Sequence, residues 1–128
     1  MNFHGIDYQP SSNMAGIDMW IFSKSGFLSI VEHREDPDTL IVRARSARPL
    51  EENWPECEII TMEEADYRFR IITDRDSVLR TVAHLVVSVN YDNFKNACHE
   101  HGEYQRALGS VWRVMFEFQS RVGDSIEG

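Results

Sequence analysis

The sequence predicts an α+β fold in which an antiparallel sheet of about four to five strands packs against C-terminal helices. Two observations carry this prediction. Residues 19–73 contain runs in which apolar and polar side chains alternate, the period of a half-buried strand. After residue 73 the apolar period changes to about 3.6, which is typical of amphipathic helices. Because strands come first and helices last, the order favours separate layers over a wound parallel sheet.

The first strands form a predicted hairpin. Residues 19–22 and 27–31 are rich in β-branched and aromatic side chains, and the linker SKSG ends in a glycine that can adopt positive φ. A second turn, EDPD at 35–38, leads into the next strand. The later strands are TLIVRAR at 39–45, CEIIT at 57–61 and YRFRIIT at 67–73, the last with Tyr67, Phe69 and Ile71 on one side.

The helices follow from apolar spacing and from capping residues. A short helix is expected between Pro49 and Pro55, where Leu50 and Trp54 are four residues apart. A longer helix at about 75–89 follows TDRD, which resembles a capping box with Thr73 as the cap. We expect two more helices, one that Asp92 caps and Gly102 ends, and one from about 103 to 122.

The composition of the 128-residue chain predicts how it is divided into domain and termini, and where it is located. We predict an irregular N-terminal arm at 1–18, a single α+β domain at 19–122 and a C-terminal tail at 123–128. No run approaches the roughly 18 apolar residues of a membrane span, and the start lacks the features of a signal peptide. Cys57 and Cys98 form no repeated spacing, which favours a reducing compartment. We therefore expect no membrane association and a cytoplasmic location.

The net charge of −8 opposes bulk nucleic-acid binding, since general affinity for phosphate backbones comes from cations. The acidic residues concentrate at 51–66, a segment with seven carboxylates and no basic residue. Such a surface suits a basic protein partner, including a partner that normally binds nucleic acid. The candidate residues for this contact are Glu51, Glu52, Glu63 and Glu64.

Arginines alternate on two of the predicted strands, as Arg43 with Arg45 and as Arg68 with Arg70. If the strands are neighbours with matching faces, four guanidinium groups meet on one patch and can bind an anionic ligand. Strand alternation directs Tyr67 and Phe69 to the other side. The alternative is a solvated face on which the segment 51–66 neutralises the arginines.

The stretch NACHEHGEYQ at 96–105 places a thiol, two imidazoles and a carboxylate close together. On a helix Cys98 and His101 share a face, whereas His99 points about 100° away, so the stretch does not form a complete metal site. We expect no metal, no cofactor and no catalytic residue here. Cys98 then fills a small core position, and the histidines lie in the last helical turn before Gly102.

Several short motifs resemble a group of small bacterial and phage proteins of unknown function. The motifs are MWIFSKSGFLSIVEHR, ADYRFRI, VNYDNFK and SVWRVMFEFQ, and they span residues 19 to about 119. The resemblance supports one compact domain and adds no catalytic residue, because no activity is assigned to the group. Residues 1–18 depart from its pattern.

The sequence therefore predicts a non-enzymatic binding protein that contacts either a small anionic ligand or a protein partner. The alternative is a small metal- or carboxylate-dependent hydrolase that uses Tyr91, Asp92 or the pair His99 and His101. A homodimer is also compatible with the last helix, because its apolar residues cover more of the helix surface than one buried face can contain. The residues of that contact would be Trp112, Met115 and Phe116.

Overall fold

A computed structural model of the chain describes residues 18–98 and 102–123. A five-stranded antiparallel sheet forms from the N-terminal part and helices form from the C-terminal part, which confirms the predicted α+β class. The chain divides into two compact units after Val89. The sheet and the first two helices belong to the first unit, and the last two helices belong to the second.

The sheet has the strand order β1-β2-β3-β5-β4, with every pair antiparallel. Its strands and the helices, in chain order, are β1 Met19–Ser23, β2 Gly26–His33, β3 Asp36–Ala44, α1 Arg48–Asn53, β4 Ile60–Thr61, β5 Phe69–Asp74, α2 Arg75–Val87, α3 Phe94–Ala97 and α4 Gly102–Gly123.

The predicted first hairpin is confirmed, and Gly26 is required at its turn. Ser23 pairs with Gly26, and the Ser23 hydroxyl donates to the Gly26 carbonyl at 3.0 Å. Gly26 adopts φ +144°, a conformation that L side chains rarely take. A Cβ atom at this position would lie 2.8 Å from Cγ of Pro49, so the turn also needs glycine for the close approach of α1.

The second hairpin is shifted from its predicted position. His33 pairs with Asp36, which places the turn at residues 34 and 35 and puts most of EDPD inside β3. The reason is local hydrogen bonding: the Asp36 carboxylate accepts from the Asp38 amide at 3.0 Å and from the Thr39 hydroxyl at 2.8 Å. These bonds hold the start of β3 in one conformation.

The fourth and fifth strands are shorter than predicted. β4 has only two residues, and β5 begins at Phe69 and not at Tyr67. Residues 63–67 form turns and bends between the two strands, so the alternation that was predicted to begin at residue 67 begins only at Phe69.

One face of the sheet is covered by α1 and α2, and the main core lies between these layers. Trp54 follows α1 and is 1% exposed, and its indole N–H donates to the Ser77 hydroxyl of α2 at 3.2 Å. This bond satisfies the polar atom of a buried tryptophan and joins the two helices. The buried core residues are Leu28, Ile30, Leu40, Val42, Ala44, Leu50, Trp54, Ile71 and Val78.

Helix α2 begins directly after β5, and its cap differs from the prediction. Asp74, not Thr73, is the N-cap, and its carboxylate accepts from the Ser77 amide at 2.6 Å. Thr73 lies one residue too early, because the strand continues through its pairing with Leu40 to Asp74, the residue that directly precedes the helix. The helix ends at Val87, close to the predicted residue.

In the second unit, α3 is a single turn and α4 is long. Asn93 caps α3 by accepting from the Asn96 amide at 3.0 Å, so the predicted cap at Asp92 is wrong. Gly102 is the first residue of α4 and does not end the preceding helix. Cys98 is 1% exposed, which confirms its prediction as a core residue. His99 and His101 lie outside the described residues.

Among residues 18–98 and 102–123, none of the helices is long and apolar enough to cross a membrane.

Replacing Gly26 with alanine should destabilise the protein by about 1–3 kcal/mol, since a side chain there meets both an unfavourable φ and Pro49. The matched control is Gly109→Ala in α4, where nothing lies within 4 Å of an added Cβ. That change should stabilise its helix by about 0.5–1 kcal/mol. Urea denaturation followed by circular dichroism measures both, and equal effects at the two glycines would contradict the assigned turn.

Candidate functional site

The face of the sheet opposite α1 and α2 carries one continuous row of side chains across all five strands. The strand registers pair Trp20 with Ser29, Ser29 with Arg43, Arg43 with Arg70 and Arg70 with Ile60. Paired residues project from the same side, so the whole row lies on one face. We call this row and Tyr67, which packs against it, the open face.

Arg43 is held at the middle of the open face by Asp18 and Ser29. Its Nη2 atom lies 3.1 Å from Oδ2 of Asp18 and 2.9 Å from Oγ of Ser29. The same Asp18 oxygen also accepts from the Ser29 hydroxyl and, at 2.8 Å, from the Trp20 indole N–H. One carboxylate therefore orders three residues of the row.

The Asp18 contacts favour its charged form. The hydrogen bond from Ser29 has the largest effect and lowers the pKa of the Asp18 carboxyl below its ordinary value of 3.8. Burial acts in the opposite direction, and the Trp20 bond and the Arg43 charge add smaller lowering effects. The ion pair with Arg43 is mostly shielded, with side chains 23% and 15% exposed for Arg43 and Asp18. It is therefore screened less than a surface pair.

Tyr67 lies on the same side as the arginines, which corrects the prediction that it points away. Its ring centroid is 4.5 Å from the guanidinium carbon of Arg43 and 4.4 Å from that of Arg45. Because β5 begins only at Phe69, strand alternation does not apply at residue 67. The ring is buried beneath two cations, an arrangement that cation–π attraction stabilises.

Aromatic side chains continue from Tyr67 to the edge of the sheet. Phe27 lies 6.3 Å from Tyr67, 4.7 Å from Phe22 and 5.5 Å from Trp20, measured between ring centroids. Trp20 is 60% exposed although its N–H is fixed by Asp18. The open face thus combines an ordered, exposed tryptophan with arginines.

The four predicted arginines are not equivalent. Arg45 pairs with Asp66 at 3.2 Å and Arg68 pairs with Glu63 at 3.4 Å, and both pairs are more than half exposed. Arg70 donates to the Tyr67 carbonyl at 3.2 Å, and within the described ranges no carboxylate forms an ion pair with it. The structure brings Arg43, Arg45 and Arg70 to Tyr67, whereas Arg68 is engaged by Glu63.

The predicted acidic contact is spread over two elements. Glu51 and Glu52 are exposed on α1, and Glu63 and Glu64 are exposed in the turns between β4 and β5. Two of the four already contact arginines, since Glu52 accepts from Arg48 at 2.8 Å and Glu63 pairs with Arg68. These pairs reduce the free negative charge of both groups.

Tyr91 and Asp92, which were predicted for the alternative hydrolase, lie between α2 and α3. Tyr91 packs its ring 6.0 Å from that of Phe94, and Asp92 is exposed. No cluster of three metal-ligating side chains occurs in the part of the chain that the structure describes. Burial and the nearby Glu56 carboxylate raise the pKa of the Cys57 thiol, so its thiolate is disfavoured.

No protein-family model, curated protein or solved structure matches this chain. The resemblance to small bacterial and phage proteins therefore stays a prediction.

Three residues of the site were not predicted from the sequence: Asp18, Trp20 and Ser29. One signal was available, because Ser29 is a polar residue within the apolar run GFLSIV and is 0% exposed in the structure. A buried hydroxyl on a strand needs a hydrogen-bonding partner, which here is Asp18.

Replacing Asp18 with asparagine should destabilise the protein by about 1–3 kcal/mol, because it removes a charged acceptor and leaves Arg43 without its counter-ion. The pKa of Asp18 is lowered in the folded state, so its stabilisation is complete above the unfolded value. It is lost as pH falls through the lowered pKa. Urea denaturation of both proteins from neutral pH to below 3.8 should therefore give curves that converge in acid.

The matched control is Asp66→Asn, which removes the exposed partner of Arg45 on the same surface. Its expected cost is at most about 1 kcal/mol, since exposed ion pairs contribute little. Equal costs for the two substitutions would show that the Asp18 network does not order the open face.

Proposed function

We propose that the chain is a non-enzymatic binding protein and that the open face contacts a protein partner. The observation that carries the proposal is the row of Trp20, Arg43 and Arg70 with Tyr67 beside it, ordered from within and left uncovered by α1 and α2.

The composition of the open face matches that of binding hot spots. Tryptophan, tyrosine and arginine are the residues that most often dominate protein–protein binding energy. Here Asp18 and Tyr67 hold the Arg43 guanidinium in place, and Asp18 also fixes the Trp20 indole. A preordered side chain loses less conformational entropy on binding, so these contacts can contribute more of their gross energy to affinity.

Charge identifies Arg70 as the anchor of this contact. Arg43 is committed to Asp18, whereas Arg70 has a backbone acceptor but no ion pair with a described residue. A carboxylate on a partner would form a charge-assisted bond there at little cost in broken pairs. Arg45, whose pair with Asp66 is exposed, could exchange that carboxylate for one on the partner.

The dimensions of the row favour a protein surface over a small anion. Four inter-strand steps of about 4.8 Å give a row on the order of 19 Å long. Apolar side chains border the arginines along this length, including Ile72 at 45% exposure and Ile60 at the far edge. A phosphate-sized ligand would use the guanidinium groups but not these apolar neighbours.

Two other interpretations have less support. An acidic contact with a basic protein would use Glu51, Glu52, Glu63 and Glu64, of which Glu52 and Glu63 are already paired with arginines. A metal-dependent hydrolase would require a cluster of metal ligands, and no group of three His, Cys, Asp or Glu side chains that could hold a metal ion occurs among the described residues. The proposal also includes a cytoplasmic location and no bulk nucleic-acid binding, in keeping with the net charge of −8.

A photo-cross-linking amino acid at Ile72, in the cells that naturally produce the chain, tests the proposal. We expect a covalent adduct with one other protein, identified by mass spectrometry, and its loss when Arg70→Gln is added. The Arg70→Gln change removes the charge but keeps a donor for the Tyr67 carbonyl. With the purified partner, this variant should bind about tenfold or more weakly, as expected for a charged anchor.

The matched control places the same amino acid at His84, an exposed residue of α2 on the covered side of the sheet. No adduct with that partner should form there. An adduct that is indifferent to Arg70→Gln would contradict the proposal. Saturable binding of inorganic phosphate, lost in Arg70→Gln and without any protein adduct, would replace the protein partner with a small anionic ligand.

A further inference from the structure

Helix α4 carries a second surface, which is independent of the open face. Apolar side chains recur along it at alternating intervals of four and three residues, the heptad spacing of a coiled-coil seam. This spacing is kept without interruption from Tyr104 to Val122 of the 22-residue helix. The seam consists of Tyr104, Leu108, Val111, Met115, Phe118 and Val122.

Only the N-terminal end of this seam is packed within its own unit. Leu108 is buried, and the Gln105 side chain donates to the Lys95 carbonyl of α3 at 3.1 Å. The Lys95 ammonium lies 5.2 Å from the Trp112 ring centroid. From Val111 to Phe118 the seam is exposed, with Val111, Met115 and Phe118 each more than one third accessible, and Val122 is half-buried.

The charged residues of α4 avoid the seam. Glu103, Arg106, Arg113 and Glu117 occupy heptad positions on the far side of the helix, and the residues that flank the seam are uncharged except for Arg121. A like helix can therefore approach without repulsion between flanking charges. An acidic or basic partner would find no complementary row of charges beside the seam.

The exposed area is sufficient for a dimer. Trp112, Met115 and Phe118, with the valines beside them, present on the order of 500 Å² of apolar surface per helix. This is near the upper end of the apolar patches that monomers expose, and patches of this size often serve as binding surfaces. Two copies would bury on the order of 1,000 Å² in total, about the least that a specific interface needs.

We infer that α4 is a self-association element and that a second copy of this chain covers the seam from Val111 to Val122 through α4 of that copy. The heptad spacing determines the partner: a seam with a 3.5-residue period fits another helix with the same period, because the two then supercoil and keep their apolar rows in contact. A two-fold axis makes the interface self-complementary.

The chain offers a matched pair of substitutions to test this. Phe118 lies in the seam and is 48% exposed, whereas Phe116 is 51% exposed and points about 160° away around the helix axis. Sedimentation equilibrium of the full chain at micromolar concentration should show a dimer. Phe118→Lys should raise the dimer dissociation constant about a hundredfold or more, since two buried phenylalanines are lost per dimer.

Although the sequence predicted Phe116 as a contact residue, it lies outside the seam, and its ring stacks on that of Trp112 at 5.3 Å. The control variant, Phe116→Lys, should therefore raise the dissociation constant by at most about tenfold, clearly less than Phe118→Lys. Both changes are at exposed positions, so the circular dichroism spectrum of each variant should match that of the original chain. A monomer before any substitution would overturn the inference. Equal effects of the two lysine substitutions would also overturn it, because the seam would then not be the contact.

Discussion

The register between β3 and β5 is the constraint on which both faces of the sheet depend. It sets Val42 opposite Ile71 and Arg43 opposite Arg70. Since successive residues point to opposite faces, the same register delivers the first pair to the core and the second pair to the open face. A shift of one residue would bury two guanidinium groups beneath α1 and α2, which makes alternative pairings of these strands very costly.

Like charges directly opposite on neighbouring strands repel, so the Arg43 and Arg70 pair needs compensation. Asp18 neutralises Arg43, and the electron-rich ring of Tyr67 packs against Arg43 and Arg45. Arg70 receives a backbone carbonyl and no described carboxylate. The charge of the site is therefore unevenly distributed. The charge of Arg43 is balanced by Asp18, and this pair orders the neighbouring side chains, whereas the charge of Arg70 remains available to attract an anion.

The fold class was predictable because periodicity of two and of 3.6 is a local property that tertiary packing preserved here. The hairpin with Gly26, the short helix that precedes Trp54 and the long last helix all follow from such patterns. Errors arose where short-range hydrogen bonds competed with the pattern. The N-cap of α2 is Asp74 and not Thr73, and the N-cap of α3 is Asn93 and not Asp92, because these side chains accept hydrogen bonds from the first helical turn.

The candidate site was predicted only in part, for a different reason. Alternation placed Arg43 with Arg45 and Arg68 with Arg70, but it could not give the partners that three of them engage. The position of Tyr67 depends on where β5 begins, and the position of Asp18 depends on contacts with residues far along the chain. Contacts of this kind are set by the tertiary fold, and a single sequence carries little signal for them.

The junction at Asp74 has a mechanical consequence. This residue ends β5 and caps α2, so the chain enters the helix without a linker, and the next residue, Arg75, donates to the Pro37 carbonyl at 2.6 Å. The end of β5, the start of α2 and the start of β3 are thereby held together at one point. An insertion or deletion of residues at this junction would shift the strand or the helix. A force applied along α2 would be transmitted directly to the central strands, so the helix and these strands would move as one rigid body.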